Sequence, residues 1–146
     1  YGLNLKLSYR NWDFGFNGHG SLGYKVFNDF ASNNSTAYFD VNAGNLPNFA
    51  TAVKRTGFTQ ISGDYQFFSD FYLENASFFR MDDINLGYTF KDIRNWDGSI
   101  RVAASCQNVF VLTGFSGIDP EVGLNGVSNS FWPRPRTYSI RLNINF

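Results

Sequence analysis

The chain has 146 residues, enough for one domain with its own core, and its twelve Lys and Arg cancel its twelve Asp and Glu, so it carries no electrostatic footprint for nucleic acid. Charged residues make up only 16% while aromatics reach 19%, and the mean hydropathy is still −0.26 because Asn, Ser, Gly and Thr fill the spaces between the aromatic rings. The single cysteine, Cys106, excludes an internal disulfide framework and a cysteine-based metal site.

No basic-then-apolar leader opens the chain. Tyr1 starts directly in an alternating pattern, which leads to the expectation of a piece of a longer chain. Over about 1–10, Leu3, Leu5, Leu7 and Tyr9 interleave with Asn4, Lys6, Ser8 and Arg10. Over about 14–26, Phe14, Phe16, Leu22, Tyr24 and Val26 share a face against Asn17, His19, Ser21 and Lys25. A third strand is expected over about 78–90, with Ile84, Leu86, Tyr88 and Phe90 opposing Asp83, Asn85 and Thr89. A fourth covers about 99–109, with Ile100, Val102, Ala104 and Cys106 opposing Arg101, Ser105 and Gln107. The last, over about 137–146, sets Tyr138, Ile140, Leu142, Ile144 and Phe146 against Thr137, Ser139, Arg141, Asn143 and Asn145. Period two over five segments predicts half-buried β-strands, and no amphipathic helix stands out.

The connections decide the architecture. Strands one and two are joined by a short turn centred on Asn11-Trp12-Asp13, and strands three and four by Lys91–Gly98. The other two connections, about 27–77 and about 110–136, are long. Antiparallel strands place alternate connections on opposite edges, so both short turns fall on one edge and both long loops on the other. That asymmetry predicts an all-β, antiparallel transmembrane β-barrel segment with short periplasmic turns and long extracellular loops. A ten-residue strand spans ~33 Å, and tilted it covers about 24 Å of membrane, close to the apolar band of such barrels. No apolar run approaches the ~18 residues of a spanning helix.

The tetrad Arg-Asn-Trp-Asp occurs twice, at 10–13 and 94–97, and both copies fall on the short-turn edge. Trp suits a membrane interface because its ring is apolar and its N–H needs a polar partner. Arg snorkels toward head groups, and Asn and Asp favour turns. A membrane-interface girdle of Trp12, Trp96, Phe14 and Phe90 is expected at this edge, with Tyr9 and Phe146 beside it and Tyr24, Phe110 and Tyr138 at the other. The opposite face carries Lys6, Lys25, Arg101 and Arg141, polar enough for a wet lumen.

Few residues invite a catalytic or metal-binding reading. His19, the only histidine, has no Cys, second His or acid at motif spacing and reads as a lumen-facing polar residue. Asp82 and Asp83, as adjacent strand residues, are expected to point to opposite faces. Asp119 and Glu121 are two apart and can converge on Ca²⁺ or a sugar hydroxyl, or simply order their loop. Together with Trp132 they are the candidate extracellular loop contacts. Cys106 serves as a small apolar residue. No nucleophile elbow, phosphate loop or paired-acid arrangement is visible, so neither an enzyme nor a cofactor is expected. The long loops hold Tyr38, Phe39, Phe49, Phe58, Tyr65, Phe67, Phe68, Phe71 and Tyr72 among small polar residues, either to bind a glycan, peptide or partner protein or to pack on one another.

Three phrases together resemble the C-terminal end of SusC/RagA-like TonB-dependent outer-membrane transporters of Bacteroides-type bacteria. They are Asn75-Ala-Ser-Phe-Phe-Arg-Met-Asp-Asp-Ile-Asn-Leu-Gly-Tyr-Thr-Phe90, Gln107-Asn-Val-Phe-Val-Leu-Thr-Gly-Phe-Ser-Gly-Ile-Asp-Pro-Glu-Val122 and Trp132-Pro-Arg-Pro-Arg-Thr-Tyr-Ser-Ile-Arg-Leu-Asn-Ile-Asn-Phe146. They cover the second half of the chain; the first seventy residues carry no comparable phrase. Arg141 departs from the small residue expected there. The resemblance implies the last five strands of a barrel of about 22 strands, with the plug domain and TonB-contacting segment absent. It implies import of nutrients (glycan oligosaccharides or peptides) across the outer membrane of a Gram-negative bacterium. The partners it implies are a SusD-like surface lipoprotein, TonB through the missing part, the lipid bilayer, and the barrel-assembly machinery during biogenesis. Tyr138, Ile140, Leu142, Ile144 and Phe146 resemble the terminal assembly signal of such barrels, which an unclosed strand presents by β-augmentation. The same residues are plain lipid-facing wall, and the two roles are compatible.

A different class also fits the alternation: a soluble β-sandwich or small barrel that binds carbohydrate through its loops and turns its apolar face inward. The two readings differ in which face meets water.

Overall fold

The computed structural model describes residues 1–34, 37–38, 59–60, 69–91, 97–129 and 132–146. The first two strands, β1 (Gly2–Tyr9) and β2 (Trp12–Ser21), form a hairpin in which Tyr9 pairs with Trp12 and Gly2 with His19. The reversal lies on Arg10 and Asn11, with Arg10 at φ 54°. Trp12 and Asp13 are therefore inside β2 rather than in the turn, which corrects the expected turn position. A two-residue loop must carry positive φ to match the strand twist, and here Arg10 takes it with its guanidinium 5.3 Å from the Tyr9 ring centre.

Next in chain order come β3 (Lys25–Asn28), α1 (Asp29–Asn34), the two-residue strands β4 (Ala37–Tyr38) and β5 (Thr59–Gln60), a 3₁₀ turn at Asp70–Tyr72 and β6 (Leu73–Asn75). The long strands β7 (Phe78–Phe90) and β8 (Ser99–Thr113) follow, then β9 (Val127–Ser128) and β10 (Thr137–Asn145). Strands β1, β2, β7, β8 and β10 form one antiparallel sheet in that order. This meets the expected fold class: five consecutive antiparallel strands of ten residues or so, with long excursions at one end.

The expected second strand over 14–26 divides. Gly23, at φ 76°, ends β2, and Tyr24, Lys25 and Val26 belong to a separate unit. Leu22, Tyr24 and Val26 stay in phase with Phe14 and Phe16, so alternation alone could not locate the break. The fourth strand also runs further than expected, to Thr113.

The chain forms two compact units. The first comprises Tyr1–Leu22, Phe78–Thr113 and Arg134–Phe146, the five-stranded sheet. Its cross-strand register sorts every long strand into two faces. Leu5, Phe16, Ile84 and Cys106 lie in one row of partners, and Leu7, Phe14, Leu86, Ala104 and Ile140 in the next. This apolar face is open rather than packed: Ile140 is 85% exposed, Leu142 60% and Leu7 53%. Each such side chain left in water forgoes about 2 kcal/mol of transfer free energy, so an apolar face this large demands a non-aqueous partner. A soluble sandwich would have buried it.

The second unit, Gly23–Ser77 and Gly114–Pro133, holds a small conventional core. Val26, Ala76 and Phe115 are buried, with Tyr24 and Val122 packed against them. Strand β3 pairs antiparallel with β6 and parallel with β9, and β4 pairs with β5. The unit is cross-tied by polar groups. Asn28, 2% exposed, donates from Nδ2 to Glu74 Oε1 and to Ser116 Oγ at 3.0 Å each, while its Oδ1 accepts from the Ala31 N–H at the start of α1.

Candidate functional site

On the polar face of the five-stranded sheet the register gathers residues far apart in sequence. Asp13 on β2 pairs with Gly87 on β7, which pairs with Ala103 on β8. Arg101, two residues before Ala103 on the same face, extends over Gly87. Its Nε donates to Asp13 Oδ1 at 2.9 Å and its Nη2 to Asp13 Oδ2, a bidentate pair spanning a whole strand. A Cβ on Gly87 would stand 2.6 Å from the Asp13 carboxylate oxygens, so only glycine leaves room for the bridge. Asn4, Lys6, Asn17, Asp83, Asn85, Gln107, Ser139 and Arg141 line the same face, which encloses a concave trough of about 900 Å³. Three cations and two carboxylates among amides and hydroxyls make a wet hydrogen-bonding wall.

Nearer the other end of these strands the alternation is interrupted. The β2–β7 and β7–β8 ladders both shift at Asp82, which has no backbone partner residue in either. On β8 the two residues Asn108 and Val109 stand opposite this single Asp82, a β-bulge. Beyond it the phase of β7 reverses, so that Phe79 and Met81 take the apolar face and Phe78 and Arg80 the polar one. The carboxylate of Asp82 lies 2.7 Å from His19 Nδ1, and the His19 ring meets Phe78 edge-on at 5.4 Å. The acid that sequence spacing could not supply to His19 thus comes from a strand 63 residues away. One signal was available: Arg80 and Asp82 on β7 and Asn108 on β8 are polar residues standing in otherwise apolar even-numbered rows.

Of the expected girdle, Trp12 packs edge-on against Tyr88 at 4.7 Å, and Tyr88 in turn against Phe90 at 4.7 Å. Tyr9 is the cross-strand partner of Trp12, so four aromatics gather at the β1–β2 turn end of the sheet. Phe14 contacts Phe16 at 6.0 Å, one step further along the apolar face. Trp96 lies outside the described residues, as do Arg94 and Asn95 of the second tetrad and most of the loop aromatics. Tyr138, Ile140, Leu142 and Ile144 pair with Cys106, Ala104, Val102 and Ile100, all on the apolar face. Phe146 follows β10 and is fully exposed.

In the second unit Asp119 is buried, and its Oδ1 accepts from the Glu121 N–H at 2.9 Å, a short turn that orders Asp119–Glu121. The Tyr24 hydroxyl donates to the Pro120 carbonyl at 2.6 Å. Trp132 is 84% exposed. Glu74 accepts from Asn28 and from both the N–H and hydroxyl of Ser116, so one carboxylate ties β3, β6 and the segment after β8. Among the described residues no three His, Cys, Asp or Glu side chains gather to hold a metal ion.

Over 99% of its length this chain is 36% identical to the TonB-dependent receptor SusC of Bacteroides thetaiotaomicron. It is a barrel segment of a SusC-like TonB-dependent receptor. The receptor segment is also 29% identical, over its full length, to the TonB-dependent receptor P26 of Formosa agariphila. It spans only 15% and 17% of the lengths of these two relatives. Its fold superposes on the RagAB peptide importer in the closed-closed state with a TM-score of 0.70 and 18% identity, covering 99% of this chain and 17% of that one. The open-open state gives the same TM-score. No family model matches the segment. These relatives are receptors and transporters rather than enzymes.

Proposed function

We propose that the segment forms part of the wall and surface platform of an active importer in the outer membrane of a Bacteroides-type bacterium. The reading rests above all on its likeness to SusC along nearly its whole length. The sorting of faces supports it: an apolar row for hydrocarbon, a polar wall with a bidentate ion pair for the lumen. The chemistry of this part is binding and steric guidance, with no bond made or broken.

In the whole receptor, TonB would supply energy through a part outside this segment, and a SusD-like lipoprotein would cover the surface end. The imported compounds are glycan oligosaccharides or peptides, and a peptide importer stands among the structural neighbours. Asp119, Glu121 and Trp132 sit in the connection proposed to face the outside. Of these, Trp132 is the accessible one. Tyr138, Ile140, Leu142, Ile144 and Phe146 act as wall and, during biogenesis, as the strand read by the barrel-assembly machinery.

Deleting the receptor from its host and supplying oligosaccharide or peptide pools as sole nutrient tests the proposal. Loss of growth on one pool, restored by the receptor only when TonB is present, supports it. Unchanged growth and uptake on every pool would refute it.

A further inference from the structure

Asn108 combines features rarely found together. It is a non-glycine residue at φ 52°, it sits in the bulge where the β7–β8 register slips, and it lies next to Gln107, whose pairing with Thr137 begins the β8–β10 ladder. Asn is among the few residues that tolerate this left-handed conformation. Its side chain is fully engaged. Oδ1 accepts from Arg80 Nη1 at 2.9 Å, and Arg80 is itself 3% exposed. Nδ2 donates to the carbonyls of Arg134 at 2.7 Å and Pro135 at 3.4 Å. The Asn108 carbonyl in turn accepts from Arg136 Nε at 3.5 Å.

The receiving segment explains why such a residue is needed. Pro133 and Pro135 have no N–H and fix φ, so the chain arriving at β10 cannot begin a backbone ladder there. Its carbonyls still need donors. We infer that Asn108 is a positioning residue that latches Arg134 and Pro135 to the β8 bulge and thereby sets the register at which β10 joins the sheet. Arg80 holds the amide so that its NH₂ group, not its carbonyl, faces the incoming strand.

The latch accounts for two phrases singled out in the sequence, Gln107-Asn-Val-Phe and Trp132-Pro-Arg-Pro-Arg. They are two halves of one contact and need no ligand. Its importance follows from the period of a strand: a one-residue slip would turn Ile140, Leu142 and Ile144 to the polar face and Arg141 to the apolar one. A two-residue slip would preserve the faces but displace the end of β10. Three close substitutes each fail to fill the role. Gly keeps the backbone and loses the latch, Asp turns the donor into an acceptor facing two carbonyls, and Ala loses both.

The test uses the full-length receptor with Cys106 replaced by Ala and paired cysteines on facing strands. S105C with S139C reports the observed register, because Ser105 and Ser139 are partners. A103C with S139C and Q107C with S139C report slips of two residues either way. With Asn108 present, only the first pair forms a disulfide. With N108G its yield falls by about fivefold, the ratio set by one lost hydrogen bond of average net strength, and a slipped pair becomes oxidised. An undiminished first pair with no slipped product in N108G overturns the inference. If N108G does not reach the membrane, R80Q decides, since it keeps both donors of Asn108 and removes the guanidinium that clamps its carbonyl. Slipped pairing in R80Q supports the latch, and pairing identical to the parent's refutes it.

Discussion

Arg101 and Asp13 are 88 residues apart and two strands apart, yet Arg101 Nε and Asp13 Oδ1 are 2.9 Å from each other because the strand between them presents Gly87 beneath the bridge. Both side chains are little more than a quarter exposed, so solvent screens the pair less than it would on an open surface. The bridge ties β2 to β8 over the back of β7.

This relationship predicts a coupling. In the full-length receptor, Asp13→Asn and Arg101→Met each destabilise the folded barrel, and the double variant loses about 1 kcal/mol less than the sum. Gly87→Val, which forces the pair apart, costs about 1–3 kcal/mol by itself. Unfolding curves read from the gel mobility of folded and unfolded barrel give all four values. Strict additivity would mean the pair has no energetic existence.

The two faces should answer differently to the same insult. Leu142→Arg places a guanidinium on the apolar face and is expected to cost about 2–4 kcal/mol near the middle of the membrane. Ser139→Arg, on the polar face beside Arg141, is expected to cost less than about 1 kcal/mol. Urea titration in lipid vesicles measures both. Equal costs would contradict the assignment of faces.

At the β1–β2 turn end, Trp12 stacks edge-on to Tyr88 and stands across from Tyr9. Trp12→Ala should lower stability by about 1–2 kcal/mol through lost interfacial and aromatic contact, and Trp12→Phe by less than half of that. The order of the two unfolding midpoints is the measurement.

The second unit is expected to loosen independently. Glu74→Ala removes the acceptor shared by Asn28 and Ser116 and leaves the Nδ2 of buried Asn28 one acceptor short. The expected loss is about 2–3 kcal/mol, that of charge-assisted hydrogen bonds. Protease cleavage within the two long connections should rise while the gel mobility of the folded barrel is unchanged. Parental cleavage rates would show the carboxylate to be dispensable.

Much of the sheet was legible because alternation in Leu3–Tyr9, Ile84–Phe90, Ile100–Cys106 and Tyr138–Ile144 reports pleat and face at once. Less could be read where the backbone, not the pattern, makes the decision. Gly23 ends β2 by taking φ 76°, while Tyr24 and Val26 continue in phase as if nothing had changed. Asp82 shifts the register and brings its carboxylate to His19, which spacing along the chain could not reveal. The Asp13–Arg101 pair needed two strand registers before it could be seen. Arg10 and Asn108 both carry positive φ without being glycine; Asn tolerates that conformation by its own chemistry, whereas nothing in the identity of Arg10 announces it.

The central claim is that the row Ile140, Leu142, Ile144 meets hydrocarbon while Ser139, Arg141 and Asn143 meet water. The direct measurement is spin labelling of single cysteines at these six positions in the full-length receptor, with Cys106 replaced by Ala, in lipid bilayers. Collision with apolar oxygen should peak at 140, 142 and 144, and collision with a water-soluble nickel chelate at 139, 141 and 143. The opposite phase, or no alternation along β10, would contradict it.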